Sequence, residues 1–162
     1  MLNDLPRRKN VRLKDYDYSS NGAYFITVCV KDGHELLWES VPVGARIARP
    51  LLTNVGTIVE NAINGISDHY PMIEIDKYVV MPNHLHMILL MNNDGRAMRT
   101  PTISTVVNQM KGHATKQIGF SIWQKLFHDH IIRGKDDYLR IWQYIDENPA
   151  KWAEDKYYCE KS

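Results

Sequence analysis

Two histidines separated by one residue are the clearest candidates for chemistry in this chain. His84 and His86 flank Leu85 at the start of an apolar run, residues 87–90, which predicts a central β-strand. Because side chains alternate across a sheet, both imidazoles point to the same face and can bind one metal ion. Two polar rings in an apolar strand are destabilising unless they have partners. The spacing alone leaves a second interpretation open, a pair of ordinary hydrogen-bonding histidines at a strand end.

A predicted helix near the end of the chain carries two further candidates. Tyr144 and Asn148 lie one turn apart on the flank of its apolar stripe, so both can face the same neighbour. The alternatives are a tyrosine at the edge of an amphipathic helix and an asparagine that ends the helix before Pro149. The stripe itself, which is expected to pack on the sheet, consists of Tyr138, Ile141, Trp142 and Ile145.

The elements that position these residues follow from hydrophobic periodicity and turn signals. They predict an α+β fold, a ferredoxin-like split βαβ arrangement with an antiparallel sheet, helices on one face and an additional C-terminal helix carrying Tyr144. A Pro82-Asn83 turn joins the second and third strands, and Thr100 is expected to cap the second helix. The predicted strands cover residues 23–30, 72–81, 84–91 and 122–132, and the predicted helices fall within 51–66, 100–114 and 135–148.

Length and charge limit the possible classes of protein. The 162 residues fit a single domain, 1–162, and the net charge of +1 excludes binding to nucleic acid through a long basic tail. Local charge is less even, because residues 1–14 hold five basic side chains against one acidic, and residues 96–135 hold seven against one. These segments are either ordinary solvated surface or contacts for a phosphate backbone. The candidate contacts are Arg7, Arg8, Lys9, Arg12, Lys111 and Lys116.

Other sequence signals concern location and redox chemistry. Every apolar run is far shorter than the roughly 18 residues that would span a bilayer. The amino end has basic residues without an apolar stretch behind them, so a cytoplasmic protein is expected. Cys29 and Cys159 form neither a disulfide framework nor a paired metal-ligand motif, which indicates two inert thiols.

Three segments together resemble a known family, the REP-associated tyrosine transposases within the HUH class of single-strand nucleases and transposases. The first segment, residues 7–27, combines the basic run with the first strand, and the second, residues 79–86, contains the two histidines. The third, residues 123–149, begins with Trp123-Gln124 and ends with Tyr144-Ile145-Asp146-Glu147-Asn148-Pro149. A His-x-His pair is common, but its combination with the Tyr-x-x-x-Asn-Pro ending is specific.

The resemblance implies a mechanism and a substrate. Tyr144 would attack a phosphodiester of single-stranded or hairpin DNA, leaving a 5′-phosphotyrosine and a free 3′-hydroxyl. His84, His86 and Asn148 would hold Mg²⁺ or Mn²⁺, which would assist a phenol that is a poor nucleophile at neutral pH. The protein would act as a monomer or a homodimer, and the short connection 133–135 favours a tyrosine that serves its own chain's histidines.

Two other functions are compatible with the same residues. The first is a domesticated relative that binds hairpin DNA or RNA without cleaving it. The second is a metal hydrolase in which His84 and His86 activate water and no covalent adduct forms. The absence of a carboxylate near the histidines in the sequence argues against the hydrolase.

Overall fold

The computed structural model of the protein describes residues 21–40, 51–93 and 100–158. Within these residues, strands and helices follow the order of a split βαβ arrangement, with one more helix at the end. The strands are β1 (Gly22–Cys29), β2 (Ile73–Val80), β3 (His84–Met91) and β4 (His128–Ile132). The helices are α1 (Asn54–Asn64), α2 (Ile66–His69), α3 (Ile103–Ile118) and α4 (Gly134–Glu147), and short 3-10 helices span Lys31–Gly33 and Pro149–Glu154.

The four strands form one antiparallel sheet with the spatial order β2-β3-β1-β4. This order confirms the predicted ferredoxin-like α+β fold. β3 lies between β2 and β1, and seven of its eight residues are buried. A strand that is covered on both faces has to be apolar on both faces, which explains the continuous apolar run that follows the histidines.

The two faces of the sheet are covered by different helices. α1 and α3 pack on the face that carries Leu85 and the alternate residues of β3. α4 packs on the other face, where Ile88 contacts Ile141 and Ile145. The helices of the split βαβ unit thus lie on one face, as predicted, and the additional C-terminal helix α4 covers the other face, which carries Ile88. His86 is two residues from Ile88 and shares the face of α4.

Two predicted boundaries differ from the structure. α3 begins after Thr102, whose hydroxyl oxygen accepts a hydrogen bond from the Thr105 amide at 3.2 Å. The expected cap at Thr100 is therefore two residues too early. β4 is shorter than predicted, because Trp123 forms an isolated bridge with Val30 and only the residues from His128 onward pair continuously with β1.

Fewer residues of α4 are buried against the sheet than the apolar stripe in its sequence predicts. Ile141 and Ile145 are buried, whereas Trp142 is 38% exposed at the flank of the helix. The ammonium nitrogen of Lys77 lies 3.8 Å from the centroid of the Trp142 ring. The prediction that Trp142 belongs to the core is wrong, because the indole rests against the aliphatic stem and charge of a lysine on edge strand β2.

The turn before β3 is fixed by backbone hydrogen bonds to neighbouring segments. The Val30 amide donates to the Asn83 carbonyl at 2.8 Å, and the Leu37 amide donates to the Pro82 carbonyl at 3.0 Å. The Leu37 carbonyl in turn accepts from the Thr53 amide at the start of α1, at 3.0 Å. These hydrogen bonds connect the turn before β3 to the start of α1, which packs on the face of the sheet opposite the histidines.

Two glycine-to-alanine substitutions should have opposite effects on stability. A Cβ atom at Gly56 in α1 would lie 2.1 Å from the Leu37 carbonyl oxygen, which is backbone and is already held by Thr53. We expect Gly56→Ala to reduce the free energy of unfolding by about 1 to 3 kcal/mol. Gly112 in α3 has open space around it, so Gly112→Ala should add roughly 0.5 to 1 kcal/mol through helix propensity.

Urea denaturation of the two variants and the wild type checks this prediction. A Gly56→Ala variant as stable as the wild type would show that α1 is not packed against the segment that supports the turn.

Candidate active site

The two histidines meet at one buried point on the face of the sheet that α4 covers. His84 and His86 are 0% and 1% exposed, and their Nε2 atoms lie 3.1 Å apart. Burial lowers the pKa of His84 to about 4 and lowers that of His86 well below its usual value. Both rings are therefore neutral at physiological pH, the state in which imidazole binds metals.

Each imidazole is oriented by a hydrogen bond at its other nitrogen. His84 Nδ1 lies 2.8 Å from Asn83 Oδ1, and His86 Nδ1 lies 2.8 Å from Thr27 Oγ1. Thr27 stands directly opposite His86 in the pairing of β1 with β3, and its side chain is buried. Partners of this kind at the outer nitrogen are typical of metal-binding histidines, because they fix the direction of the ligating lone pair.

Tyr144 extends from α4 to the same point. Its hydroxyl oxygen lies 3.4 Å from His86 Nε2, and its ring meets the Phe25 ring edge-to-face at a centroid distance of 6.2 Å. Burial and the negative charge of Asp155 raise the pKa of the phenol, while a hydrogen bond with Asn148 acts in the opposite direction. The side chain is still 38% exposed, so a substrate can reach its oxygen.

Asn148 lies one turn beyond Tyr144 and contributes an amide to the site. Its Nδ2 donates to Asp155 Oδ2 at 2.9 Å, whereas its Oδ1 is buried and has no hydrogen-bond partner. A buried carbonyl oxygen without a partner is destabilising unless a donor or a cation binds it. The structure therefore brings together His84, His86, Tyr144 and Asn148, the four residues that the sequence singled out.

Asp155 is a member of the site that sequence reasoning missed. Its Oδ2 lies 3.9 Å from His84 Nε2, and its side chain is 1% exposed. One ligand atom from each of His84, His86 and Asp155 lies within 4.8 Å of the others, so this cluster could hold a metal ion. The expectation that no carboxylate lies near the histidines is wrong. Asp155 follows the helix by eight residues, and its local sequence carries no signal that it folds back.

The segment after α4 folds back over His84. The Tyr157 ring lies 4.4 Å from the His84 ring between centroids, and the Trp152 ring lies 5.9 Å from it. The Tyr157 carbonyl accepts a hydrogen bond from Asn83 Nδ2 at 2.8 Å. Beside this segment a cleft of about 240 Å³ reaches Tyr144. Its other lining residues are Glu147, Asn148, Lys151, Glu154, Asp155 and Lys156.

The two predicted basic contacts within the described residues, Lys111 and Lys116, do not line this cleft. Lys111 was expected on the exposed face of the second helix, but it is 8% exposed and its Nζ donates to the Gln124 carbonyl at 2.8 Å. Its predicted exposure is wrong, because the ammonium is used to hold the segment that leads to β4. Lys116 is exposed on α3, on the side of the sheet away from the histidines. Arg7, Arg8, Lys9 and Arg12 lie outside the described residues.

Two other residues with possible chemistry have structural partners. His130 Nε2 lies 2.8 Å from Asp137 Oδ2, which also accepts from the Arg133 amide at the start of α4. Cys29 is buried, and burial raises the pKa of its thiol to about 11, which agrees with an inert thiol. Cys159 lies outside the described residues.

The chain is similar in sequence and in fold to REP-associated tyrosine transposases. The chain superimposes on a solved REP-associated tyrosine transposase bound to a REP hairpin, with a TM-score of 0.64, 25% identity, and coverage of 90% of this chain and 76% of that one. It is also 27% identical over 135 residues to the REP-associated tyrosine transposase of Escherichia coli K12, covering 83% of this chain and 70% of that protein.

An uncharacterised protein of Haemophilus influenzae is 32% identical over 174 residues, and the match covers 94% of each chain. No family model matches the sequence. The chain therefore has relatives named REP-associated tyrosine transposase and shares the fold of a solved protein of that name. These relatives support a transposase function.

Within residues 21–40, 51–93 and 100–158, no helix is both long enough and apolar enough to cross a membrane.

The buried histidines should make the protein sensitive to acid. The pKa of His84 falls to about 4 and that of His86 falls well below its usual value, whereas unfolded histidine titrates near 6.5. The unfolded state therefore binds more protons as the pH falls below about 6.5, and stability drops by up to about 1.4 kcal/mol per pH unit for each histidine.

Thermal unfolding in EDTA between pH 7.5 and pH 4 measures this effect. A His84→Gln/His86→Gln variant should lose stability less steeply over the same range. An equal slope in the two proteins would mean that the histidines do not titrate as neutral buried groups.

Proposed function

We propose that this protein is a divalent-metal-dependent transposase that cleaves and rejoins single-stranded DNA beside hairpins through a 5′-phosphotyrosine at Tyr144. The observation that carries the proposal is the Tyr144 hydroxyl, 3.4 Å from a histidine pair whose Nε2 atoms converge. The relatives named REP-associated tyrosine transposase support a transposase reaction. The relative that was solved with a REP hairpin supports a hairpin as the substrate.

The residues at the site fit a small divalent cation. The Nε2 atoms of His84 and His86 supply two neutral nitrogen ligands, and the buried Asn148 Oδ1 supplies an oxygen that has no other partner. The Asp155 carboxylate supplies the only formal negative charge of this donor set. Mixed imidazole and oxygen donors suit Mn²⁺ and also accept Mg²⁺. When bound, such an ion acts as a Lewis acid that polarises a phosphate oxygen.

Tyr144 performs the covalent step. Its phenolic oxygen attacks the scissile phosphorus, the bond from phosphorus to the 3′ oxygen breaks, and the chain keeps the 5′-phosphate on the tyrosine. The phenol loses its proton and the departing 3′ oxygen gains one, so charge balances. Rejoining is the same displacement in reverse, with a 3′-hydroxyl as the nucleophile.

The surroundings of Tyr144 oppose its ionisation in the absence of a cation. Burial and the charge of Asp155 both raise the phenol pKa. A cation that binds Asp155 would neutralise that charge, and this would favour the phenolate that attacks. Asp155 therefore has two effects, since it attracts the cation and makes the nucleophile dependent on it.

The DNA would approach along the cleft beside Tyr144. Lys151 and Lys156 line this cleft and can pair with phosphates on either side of the scissile bond. Arg7, Arg8, Lys9 and Arg12, together with Lys116, remain proposed contacts to the hairpin. Because one chain supplies both the tyrosine and the histidines, a monomer contains the complete set of reacting groups.

A metal hydrolase is the second candidate, and the Asp155 carboxylate beside His84 favours it. In that reaction a water molecule would attack the phosphorus, and Asp155 would take its proton. Tyr144 would not be needed, and no covalent adduct would form.

A covalent adduct test separates the two reactions. We expect wild-type protein, incubated with Mn²⁺ and labelled single-stranded hairpin oligonucleotides, to give a protein–DNA band on denaturing electrophoresis. Tyr144→Phe should reduce the band by at least about 1,000-fold, because it removes the nucleophilic oxygen. Tyr138→Phe is the matched control on the same helix, since the Tyr138 hydroxyl donates to Asp76 at 2.5 Å and not to the site.

Each outcome assigns a function. Cleavage by Tyr144→Phe at the wild-type rate without any adduct would support the hydrolase. Tight hairpin binding with no cleavage by the wild type over a broad oligonucleotide panel would indicate a non-cleaving binder.

Asp155→Asn should separate metal binding from nucleophilic attack. We expect the Mn²⁺ affinity to fall by at least about 10-fold, because the carboxylate is the charged ligand. Glu154→Gln is the matched control, because the adjacent residue is exposed and lines the same cleft. Free Mn²⁺ measured by electron paramagnetic resonance during titration gives the affinity. The rate of adduct formation should fall at limiting Mn²⁺ and recover largely at saturation, and an unchanged affinity would remove Asp155 from the ligand set.

A further inference from the structure

The hydrogen bonds around His84 fix one tautomer of its ring. Asn83 Nδ2 donates to the carbonyls of Tyr157 and Gly33, at 2.8 and 3.3 Å, and carbonyls can only accept. The amide orientation of Asn83 is therefore set, and its Oδ1 faces His84 Nδ1 at 2.8 Å. Because Oδ1 is also only an acceptor, His84 Nδ1 must carry the proton. The neutral ring then has a lone pair on Nε2.

The opposite tautomer follows for His86. Its Nε2 atom lies 3.1 Å from the His84 Nε2 atom, which carries a lone pair, and two lone pairs do not face each other at this distance. His86 Nε2 therefore carries a proton and donates a hydrogen bond to His84 Nε2. The neutral His86 ring keeps its lone pair on Nδ1, where it accepts a hydrogen bond from the Thr27 hydroxyl at 2.8 Å.

A cation bound by both histidines requires a different arrangement at His86 alone. Both Nε2 atoms must then present lone pairs to the ion, so the His86 proton has to lie on Nδ1. The net charge of the ring does not change, because one proton leaves Nε2 and one is gained at Nδ1. Thr27 must then accept a hydrogen bond from His86 Nδ1, where before it donated one.

We infer that Thr27 is the positioning residue that allows His86 to exchange tautomers when a divalent cation binds. This inference rests on the metal site proposed above. A threonine hydroxyl can donate or accept by rotation about one bond, whereas a carbonyl only accepts and an ammonium only donates. Asn83 is thus a fixed acceptor beside His84, which keeps its tautomer. Thr27 can donate or accept and lies beside His86, which changes its tautomer.

The burial of Thr27 makes this partner hard to replace. Thr27 is 4% exposed and His86 is 1% exposed, so solvent does not reach His86 Nδ1 freely. Without the hydroxyl, the metal-free ring has an unpaired buried acceptor at Nδ1, whereas the metal-bound ring has an unpaired buried N–H donor there, which proteins tolerate less often. Thr27→Val keeps the shape of the side chain and removes the hydroxyl, and Thr27→Ser restores it.

The test combines a spectroscopic signature with an affinity. Long-range ¹H–¹⁵N spectra of protein labelled at its histidines report which ring nitrogen is protonated, and titration with diamagnetic Mg²⁺ follows the change. We expect His86 to move from the Nε2–H form to the Nδ1–H form on binding, while His84 stays Nδ1–H throughout. The Mn²⁺ affinity, measured from free Mn²⁺, should fall about 10- to 100-fold in Thr27→Val and return to within a few-fold of wild type in Thr27→Ser.

The outcomes distinguish this inference from the proposed metal site. If wild-type protein binds Mn²⁺, His84→Ala does not, and Thr27→Val binds as tightly as wild type, the metal site stands and the role of Thr27 is refuted. A His86 ring that is Nδ1–H before any metal is added also refutes it. If His84→Ala binds Mn²⁺ as well as wild type does, both proposals fail. Urea denaturation shows whether Thr27→Val is folded, and if it is not, the His86 tautomer measured in the wild type before and after Mg²⁺ addition decides the case.

Discussion

Two imidazole nitrogens, 3.1 Å apart, converge at the buried start of the inner strand β3, and the elements around them supply the partners that this arrangement requires. Neither ring reaches solvent, so every polar atom on both rings needs a partner from the protein or from a bound ion. Asn83 and Thr27 supply the partners on the outer side of the rings. The inner side faces Tyr144, Asn148 and Asp155, which are the groups that act on the phosphodiester in the proposed reaction.

The second helical layer follows from the same constraint. β3 presents apolar residues to both faces beyond its histidines, so α4 has to cover the face that α1 and α3 leave open. Packing of Ile141 and Ile145 on Ile88 sets the rotation of α4 about its axis. That rotation directs Tyr144 and Asn148, at the flank of the helix, to the histidines and not to solvent. The apolar contacts therefore determine where Tyr144, the proposed nucleophile, lies.

Much of this arrangement could be predicted from the sequence, because it depends on local patterns. Alternation in a strand places His84 and His86 on one face, and helical spacing places Tyr144 and Asn148 on one flank. Asp155 could not be predicted, since its position results from a fold-back held by Asn83 and by ring contacts with His84. The predicted exposure of Lys111 was wrong for a related reason. A long side chain can turn inward and donate hydrogen bonds to the backbone carbonyls of a distant segment, here residues 124–125. The face of the sheet on which α4 packs could not be predicted from local patterns either, because it depends on which face α1 and α3 occupy.

In the proposed reaction, one divalent cation binds between the two histidines and next to Tyr144. Anomalous diffraction at the manganese edge, from crystals of the wild-type protein grown with Mn²⁺, tests for this cation. We expect one strong peak within bonding distance of Nε2 of His84 and His86, with Asn148 Oδ1 or Asp155 completing the ligands and the Tyr144 hydroxyl nearby. A manganese peak bound by other residues, or no peak between the histidines at saturating Mn²⁺, would contradict it.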